Sequence, residues 1–321
     1  MNVRLGIIGT GRIAGRFAAD GWQNSDVEIT AVYNPRAESA ERFAAEHGIS
    51  SPVNKWEVFL EQVDAAYVAA PSGTHGDYVR KLLEAGKHVL CEKPMVLKEE
   101  EARELFAIAG KKGIVLMEAI KTAYCPGFRA LLETAGDGRI GEVRDVEAAF
   151  TRLTARNLRE MTDKECGGSL TELGTYGCFA VLKLLGCDYE KISFSVQRNE
   201  EKLDIFTKVL FEYPGRGIAG TAKAGLGVKT EGELIISGTK GYLIARAPWW
   251  LTKHFEVRYE DAEKRDVYDY PFEGNGLQYE LRTFVERIKG MPEKGQVTPG
   301  ESIALAGIME QFLNNERKYR K

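Results

Sequence analysis

The chain has 321 residues, of which 44% are hydrophobic and 28% charged, and a formal net charge of −3. That is enough chain for two cores, with no positive field to draw nucleic acid or an anionic membrane surface, and no apolar stretch reaches the ~20 residues of a membrane-spanning helix. Five cysteines (Cys91, Cys125, Cys166, Cys178, Cys187) form no C-x-x-C pair and the four histidines are not paired at helical spacing, so neither a disulfide framework nor a structural metal is expected. The N-terminus runs straight into a strand pattern, so no signal peptide is expected, and the setting reads as reducing and cytoplasmic.

The first third alternates short apolar runs with amphipathic segments. "VRLGIIG" reads as a strand and "GRIAGRFAADGW" as a helix. "EITAVYN" is a strand, followed by the helix "AESAERFAAEHG", closed by Gly48. "DAAYVAA" is a strand, followed by "GDYVRKLLEAG", closed by Gly86. "HVLC", "KEEEARELFAIAGKKG" and "IVLMEA" then give strand, helix and strand. Strands alternating with helices of this length predict βαβ units and a parallel, doubly wound sheet.

After Ile120 the pattern changes. "CPGFRALLETAGDGRIG" reads as helix and turn, "EVRDVEAAFTRL" as a long strand and "GGSLTELGTYGCFAVLKLLG" as a helix. Strand-like runs with glycine-rich turns follow: "KISFSVQR", "DIFTKVLFEY", "GIAGTAKAG", "EGELIISGTKGYLIA", "HFEVRYE" and "RDVYDYPF". Two helices, about 277–289 and 300–317, finish the chain. The expected fold is α/β: a nucleotide-binding Rossmann domain over 1–120, then a C-terminal α/β domain over 121–321, built on an open, mostly antiparallel sheet.

"GTGRIA" at 9–14 is G-x-G-x-x-A between a strand and a helix. Gly9 and Gly11 permit a tight turn and close approach of a pyrophosphate. Thr10, Arg12 and Ile13 complete the loop, Ala14 keeps helix and strand close, and the helix N-terminus offers N–H groups. The acid usual at the end of the second strand is missing. The chain has "YNPR" there, so Asn34 is the candidate for a ribose hydroxyl. Arg36 is the candidate for a 2′-phosphate, against the plainer reading of a helix-start arginine. The cofactor expected is NAD or NADP, leaning to NADP.

Behind this motif lie, in order, "APSGTH" at 70–75, "EAGKHVLCEKPM" at 84–95 and "GGSLTELGTYG" at 167–177. Together they resemble the glucose–fructose oxidoreductase / inositol dehydrogenase / rhizopine-catabolism (Gfo/Idh/MocA) family. "SGTKGYLIA" at 237–245 is most similar to its dihydrodiol-dehydrogenase branch. The resemblance covers nearly the whole chain. It implies an NAD(P)-binding Rossmann domain and a C-terminal domain often used for oligomerisation, hence a homodimer or homotetramer through the C-terminal sheet.

The family's E-K-P lysine maps onto Lys93, next to Glu92. As the residue at the C-terminal end of a parallel strand, before a proline that stiffens its backbone, Lys93 suits contact with a substrate oxygen. The bland alternative is a surface ion pair of Glu92 and Lys93. The family's D-x-G-x-[HY] motif maps onto Glu172, Gly174 and Tyr176. On a regular helix Leu170, Leu173, Gly177, Val181 and Leu184 make one stripe and Glu172 and Tyr176 share the opposite face. That face meets either solvent or a cleft, and the resemblance favours the cleft, with Tyr176 exchanging the substrate proton. Pro71 and His75 map onto a cofactor loop, a structural hydrogen bond being the other role open to His75. Glu118 maps onto the cofactor or substrate cleft. Trp249 and Trp250 read as edge or interface residues.

Two departures stand out. The family's aspartate is Glu172 here. Its "R-x-H-P" is "AYCP", with Ala123 and Cys125 where a cation and an imidazole are common. The longer Glu172 side chain would move a substrate hydroxyl contact, and the missing cation and imidazole point away from an anionic substrate. The expectation is hydride transfer between nicotinamide and a secondary alcohol or ketone of a neutral sugar, polyol or cyclic diol. A non-catalytic NAD(P)-sensing regulator on the same scaffold is the rival, and retention of Lys93 and Tyr176 argues against it. Retention of Lys93 also disfavours a pigment reductase that needs no lysine.

Overall fold

The computed structural model describes residues 2–20, 26–291 and 297–320. They form two compact units: Met1–Lys121 with Glu273–Ala306, and Thr122–Phe272 with Gly307–Lys321.

The first unit is a six-stranded sheet of β1 (Val3–Ile8), β2 (Val27–Tyr33), β3 (Ser51–Val53), β4 (Ala65–Val68), β5 (His88–Glu92) and β6 (Leu116–Ala119). The spatial order is β3-β2-β1-β4-β5-β6 and every neighbouring pair is parallel. This is the doubly wound order whose switch point, between β1 and β4, leaves a crevice at the carboxyl ends of the strands. The crossovers are α1 (Arg12–Asp20), α2 (Ala37–His47), α3 (Trp56–Gln62), α4 (His75–Glu84) and α5 (Glu99–Lys112). The expected continuation of α1 through Gly21 and Trp22 lies outside the described residues.

Periodicity missed β3 and α3, which are three and seven residues long. Neither is long enough to show a repeat, and tertiary contact supplies what propensity does not. Phe59 of α3 is fully buried, and its ring takes the place of a side chain at Gly6 on β1: a Cβ there would stand 2.4 Å from it. By contrast α2 and α5 stop where expected from sequence rules, at Gly48 and Gly113, both left-handed (φ 67° and 65°). Glu99–Glu101 open α5 and Lys111 and Lys112 close it, in line with the helix dipole.

The second unit begins with α6 (Pro126–Gly136), β7 (Val143–Thr151) and α7 (Thr175–Leu185). Then come β8 (Lys191–Arg198), β9 (Asp204–Tyr213), β10 (Ile218–Gly225), β11 (Leu234–Gly238), β12 (Gly241–Ala245), β13 (His254–Tyr259) and β14 (Arg265–Asp269). The eight strands lie in the order β14-β13-β12-β11-β7-β10-β9-β8, all antiparallel except the β7–β10 pair. The run 232–245 is a hairpin, β11 turning at Thr239 and Lys240 into β12. Helix α7 packs on β7 and β10 because small residues meet there: a Cβ on Gly177 would stand 3.0 Å from the Cβ of Ala222. On the opposite face the register sets Ser193, Leu210, Thr221, Glu147, Ile235, Ile244, Glu256 and Val267 in one row across all eight strands.

The single stripe expected for the 167–186 helix is too narrow. Cys178, Phe179, Ala180 and Leu182 are buried as well, and Leu185, not Leu184, is sealed. Residues Leu170–Gly174 form a π-helical turn, so Glu172 and Tyr176 do not keep regular α-helical spacing. Trp249 is a core residue with no exposure, its indole N–H donating to the Ala149 carbonyl at 2.8 Å. The chain then contributes α8 (Leu277–Ile288) to the first unit, and α9 (Pro299–Arg320) begins in the first unit and ends in the second.

Gly6→Val should force α3 off β1. The expected loss is about 1–3 kcal/mol, the usual cost of overpacking a filled core, read as a lower denaturant midpoint with an unchanged slope.

Candidate active site

The nucleotide half of the site is the β1–α1 turn. Gly9 has φ +101°, a conformation that penalises any side chain, and a Cβ on it would lie 2.6 Å from the Ala69 carbonyl oxygen. Gly9 N–H donates to the Tyr33 carbonyl (3.0 Å) and Ala69 N–H to the Ile8 carbonyl (2.8 Å), so the loop is sewn to both neighbouring strands. A Cβ on Gly11 would meet nothing within 4 Å. Open space at Gly11 beside the first turn of α1 is what a pyrophosphate needs, and the residues fit a dinucleotide.

Asn34 is already engaged. Its amide donates to Thr10 Oγ1 (2.9 Å), and its carbonyl accepts the Arg36 N–H (3.0 Å). One amide N–H and one oxygen lone pair remain for a ribose hydroxyl. Arg36 is exposed, at the edge of a concavity shared with Ala37, Glu38, Ser39 and Arg42. Sequence reading missed Arg42, although its place one turn into the same helix as Glu38 was a visible signal.

The other cluster of candidate residues in the first unit lies at the carboxyl end of β4, β5 and β6. Glu92, the last residue of β5, is 7% exposed. Its Oε1 accepts the Tyr67 hydroxyl of β4 at 2.5 Å and its Oε2 accepts the Lys93 backbone N–H at 3.3 Å. Tyr67 is itself sealed, stacked on Phe17 of α1 with ring centroids 3.8 Å apart. The plain surface ion pair is therefore not what Glu92 makes: it is a buried carboxyl under the Lys93 backbone, and Lys93 itself is half-buried. Burial pushes the Glu92 carboxyl up, against the pull of the Lys93 ammonium and the Tyr67 hydroxyl.

Glu118 of β6 is 3% exposed, and its Oε1 accepts the Met95 N–H at 2.9 Å, tying β6 to the segment that follows Lys93. Burial raises this carboxyl to about 7, with the neighbouring Ser302 hydroxyl, Met95 N–H and Lys93 ammonium acting the other way. Ser302 stands beside it without closing a hydrogen bond of ordinary geometry. His75 is 1% exposed, its Nδ1 3.0 Å from the Pro94 carbonyl oxygen and its Nε2 2.8 Å from that of Ala70. It joins the Pro71–Thr74 turn to the segment after Lys93. Pro71 opens that turn.

In the second unit the π-helical turn carries Glu172 and runs directly into the first turn of α7, which carries Tyr176. It is pinned at its start by Asp204, fully buried, whose Oδ2 accepts the Leu170 N–H (2.8 Å) and the Thr207 hydroxyl (3.0 Å). Ser169 donates to the Asp204 carbonyl (3.0 Å) and accepts the Leu226 N–H (3.0 Å). Tyr176, 8% exposed, lies 5.2 Å from the Phe150 ring, and Phe150 stacks on Trp250 at 3.6 Å. Arg159 donates to Glu172 Oε1 at 3.1 Å and also reaches Asp163 at 3.4 Å. Arg159 and Phe150 are absent from the sequence-based reading. Arg159 lies 13 residues from Glu172 in irregular chain, where no repeat predicts a contact. Ala123 and Cys125 are both fully buried, so they are core residues and carry no information about substrate charge.

Among the described residues no helix is long and apolar enough to cross a membrane, and no group of three or more His, Cys, Asp or Glu side chains is placed to hold a metal.

Known proteins match the chain over nearly its whole length. The model of the oxidoreductase family with an NAD-binding Rossmann fold, GFO/IDH/MocA, matches residues 3–120, and that of the GFO/IDH/MocA C-terminal domain matches residues 128–244. The trans-1,2-dihydrobenzene-1,2-diol dehydrogenase of Sus scrofa is 32% identical over 324 residues, covering 97% of this chain and 96% of its own. The dTDP-3,4-didehydro-2,6-dideoxy-alpha-D-glucose 3-reductase of Actinomadura kijaniata is 35% identical over 208 residues, 63% of this chain and 62% of its own. The fold superimposes with a TM-score of 0.82 on a 3-ketoreductase from Actinomadura kijaniata solved with NADP and TDP-benzene, at 24% identity over 97% of this chain and 96% of that one. With a glycine loop shaped for a dinucleotide, a buried carboxyl framework under Lys93 and both family domains matched in order, the chain belongs to the GFO/IDH/MocA family of NAD(P)-dependent oxidoreductases.

Proposed function

We propose that the protein is a dehydrogenase or reductase acting on the CH–OH group, or the matching ketone, of a neutral sugar, polyol or cyclic diol, with Lys93 and Tyr176 at the reacting oxygen. The observation that carries this reading is the near full-length likeness to an enzyme named for a cyclic diol, in a chain that keeps Lys93 at the carboxyl end of β5. The bound nicotinamide supplies the hydride acceptor or donor. Lys93 donates a hydrogen bond to the substrate oxygen and offsets the negative charge that develops there. Tyr176 gives or takes the oxygen's proton.

The second unit supports a neutral, ring-shaped substrate. Phe150 and Trp250 stack beside Tyr176, and a flat aromatic wall suits the apolar face of a ring. Arg159 is shared between Glu172 and Asp163, so this group holds no excess positive charge to attract an anion. Arg36 and Arg42 beside one concavity favour NADP. A cytoplasmic setting suits five cysteines that are all free thiols. Self-association through the open face of the second sheet is proposed on its exposed Leu210, Tyr242 and Val267, and sedimentation of the purified protein as a monomer at micromolar concentration would exclude it.

Lys93→Met and Tyr176→Phe should each lower turnover by about 10²–10⁴, the usual contribution of a positioned acid–base group, while cofactor binding measured by nucleotide fluorescence stays intact. Turnover near the parent level in either variant would remove that residue from the chemistry. Arg36→Ala should weaken NADP roughly 10- to 100-fold and NAD far less, since a charge-assisted contact to phosphate contributes about 1.5–3 kcal/mol; equal losses for both nucleotides would make Arg36 a helix-surface residue. In a panel of cyclic diols, neutral sugars, sugar acids and sugar phosphates followed by NAD(P)H absorbance, the neutral members should have the higher kcat/KM. A clear preference for the anionic ones would mean that Arg159 faces substrate and not Glu172.

A further inference from the structure

Helix α8, packed on β5, carries a buried carboxyl group that the chemistry above does not use. Glu280, on α8, has no exposed surface, and neither of its carboxyl oxygens has a hydrogen-bond partner among the described residues. It occupies the buried side of α8 with Leu277, Leu281, Phe284 and Val285. Helix α8 packs against β5 and α1. The charged groups whose fields act on Glu280 are Glu92 at the end of β5, which opposes its ionisation, and Lys121 in the turn after β6, which favours it. From α1, Phe17 covers Tyr67, the partner of Glu92, while Arg12 and Arg16 are exposed. Glu92 in turn accepts the Lys93 backbone N–H and feels the Lys93 ammonium.

An isolated carboxylate without partners is the costliest arrangement a core can hold. A second anion facing the buried Glu92 would add like-charge repulsion. Both costs vanish when Glu280 keeps its proton. Burial, with Glu92 adding to it, drives this carboxyl well above the usual carboxylate range, and Lys121 opposes the shift without cancelling it.

We propose that Glu280 is an uncharged acid in the working protein and a positioning residue that acts through Glu92, so that one negative charge and not two stands behind Lys93. With one charge, the lysine's positive field at the substrate oxygen is partly balanced. With two, that field is weakened and the stabilisation of the developing oxyanion falls. Ionisation of Glu280 is therefore an alkaline brake on the reaction. The link to Lys93 chemistry rests on the dehydrogenase reading above; the uncharged state of Glu280 does not.

The test compares the parent protein with Glu280→Gln, which keeps the size and the neutral charge. The group's folded-state pKa lies above its unfolded value, so below the unfolded value of about 4.3 both states hold the proton and its burial brings no charge penalty. Above that value the unfolded chain releases the proton and the folded chain does not, so parent stability falls as pH rises toward the folded value. Glu280→Gln should be close to the parent in thermal midpoint near pH 4, then exceed it by a few degrees more per pH unit. In a Glu92→Gln background the gap at alkaline pH should shrink, because the repelling anion is gone. With a turned-over substrate, kcat/KM of Glu280→Gln should match the parent at neutral pH, with its alkaline decline displaced upward by about one pH unit, the size expected of strongly interacting sites. A gap that does not vary with pH means that Glu280 is charged or partnered, and overturns the assignment. So does a gap indifferent to Glu92→Gln. Superimposable alkaline limbs overturn the positioning role. If both stability arms behave as expected but no alcohol or ketone is turned over, the uncharged acid stands and it is the dehydrogenase reading that fails.

Discussion

The parallel register of β1, β4, β5 and β6 is the constraint on which the first unit's site depends. Ile8 pairs with Val68, Val68 with Cys91 and Cys91 with Glu118, so all four strands release their chains at the same edge. Parallel strands are slightly less stable per residue than antiparallel ones and need cover on both faces. Here that cover includes α3 and α4, and it works because β1 has no side chain at Gly6 where Phe59 enters. Because the edge is common, the turn at Gly9, the buried carboxyl Glu92 and the carboxyl Glu118 face one region without any long loop to carry them.

At that edge the chemistry is set by burial. Three carboxyl groups, Glu92, Glu118 and Glu280, are each less than a tenth exposed. None has an arginine partner among the described residues, and burial raises all three. A surface ion pair would have fixed their charges and left them inert. Burial lifts each of them above the usual carboxylate range, Glu118 to about 7, and such perturbed groups concentrate where proton chemistry is done. Their presence makes the edge costly to fold, and the surrounding apolar core carries that cost.

The second unit solves a different problem with the same economy of parts. Tyr176 sits in the first turn of α7, where chains fray unless anchored. Asp204 and Ser169 anchor the backbone of the π-helical turn, and Gly177 lets α7 lie close on Ala222. Tyr176 is thereby placed between a rigid turn and the stacked rings of Phe150 and Trp250. Loss of regular helical spacing in that turn is the reason a simple helical wheel misjudges which residues share its face.

Much of the first unit is legible in the order of its amino acids. Alternating strands and helices, G-x-G-x-x-A after a strand and glycines at helix ends determine five of the six parallel strands, because local periodicity and turn chemistry act within a few residues. Lys93, Glu92 and Glu118 can be named for the same reason: they stand at strand ends, and strand ends in a parallel sheet share an edge. What the sequence does not decide is partnership across long separations. Arg159 with Glu172 and Phe150 with Trp250 come together only when irregular chain and distant strands are folded. The short β3 and α3 exist because Phe59 finds the gap at Gly6. Glu280 is the clearest case: it falls among Leu277, Leu281, Phe284 and Val285 on the stripe that α8 buries. An acid on an apolar stripe is visible in sequence, but whether it meets a cation, water or another acid is settled by what the neighbouring strand brings to it. Here that is Glu92, and the physical reason is that charge depends on burial and neighbours, which only tertiary structure assigns.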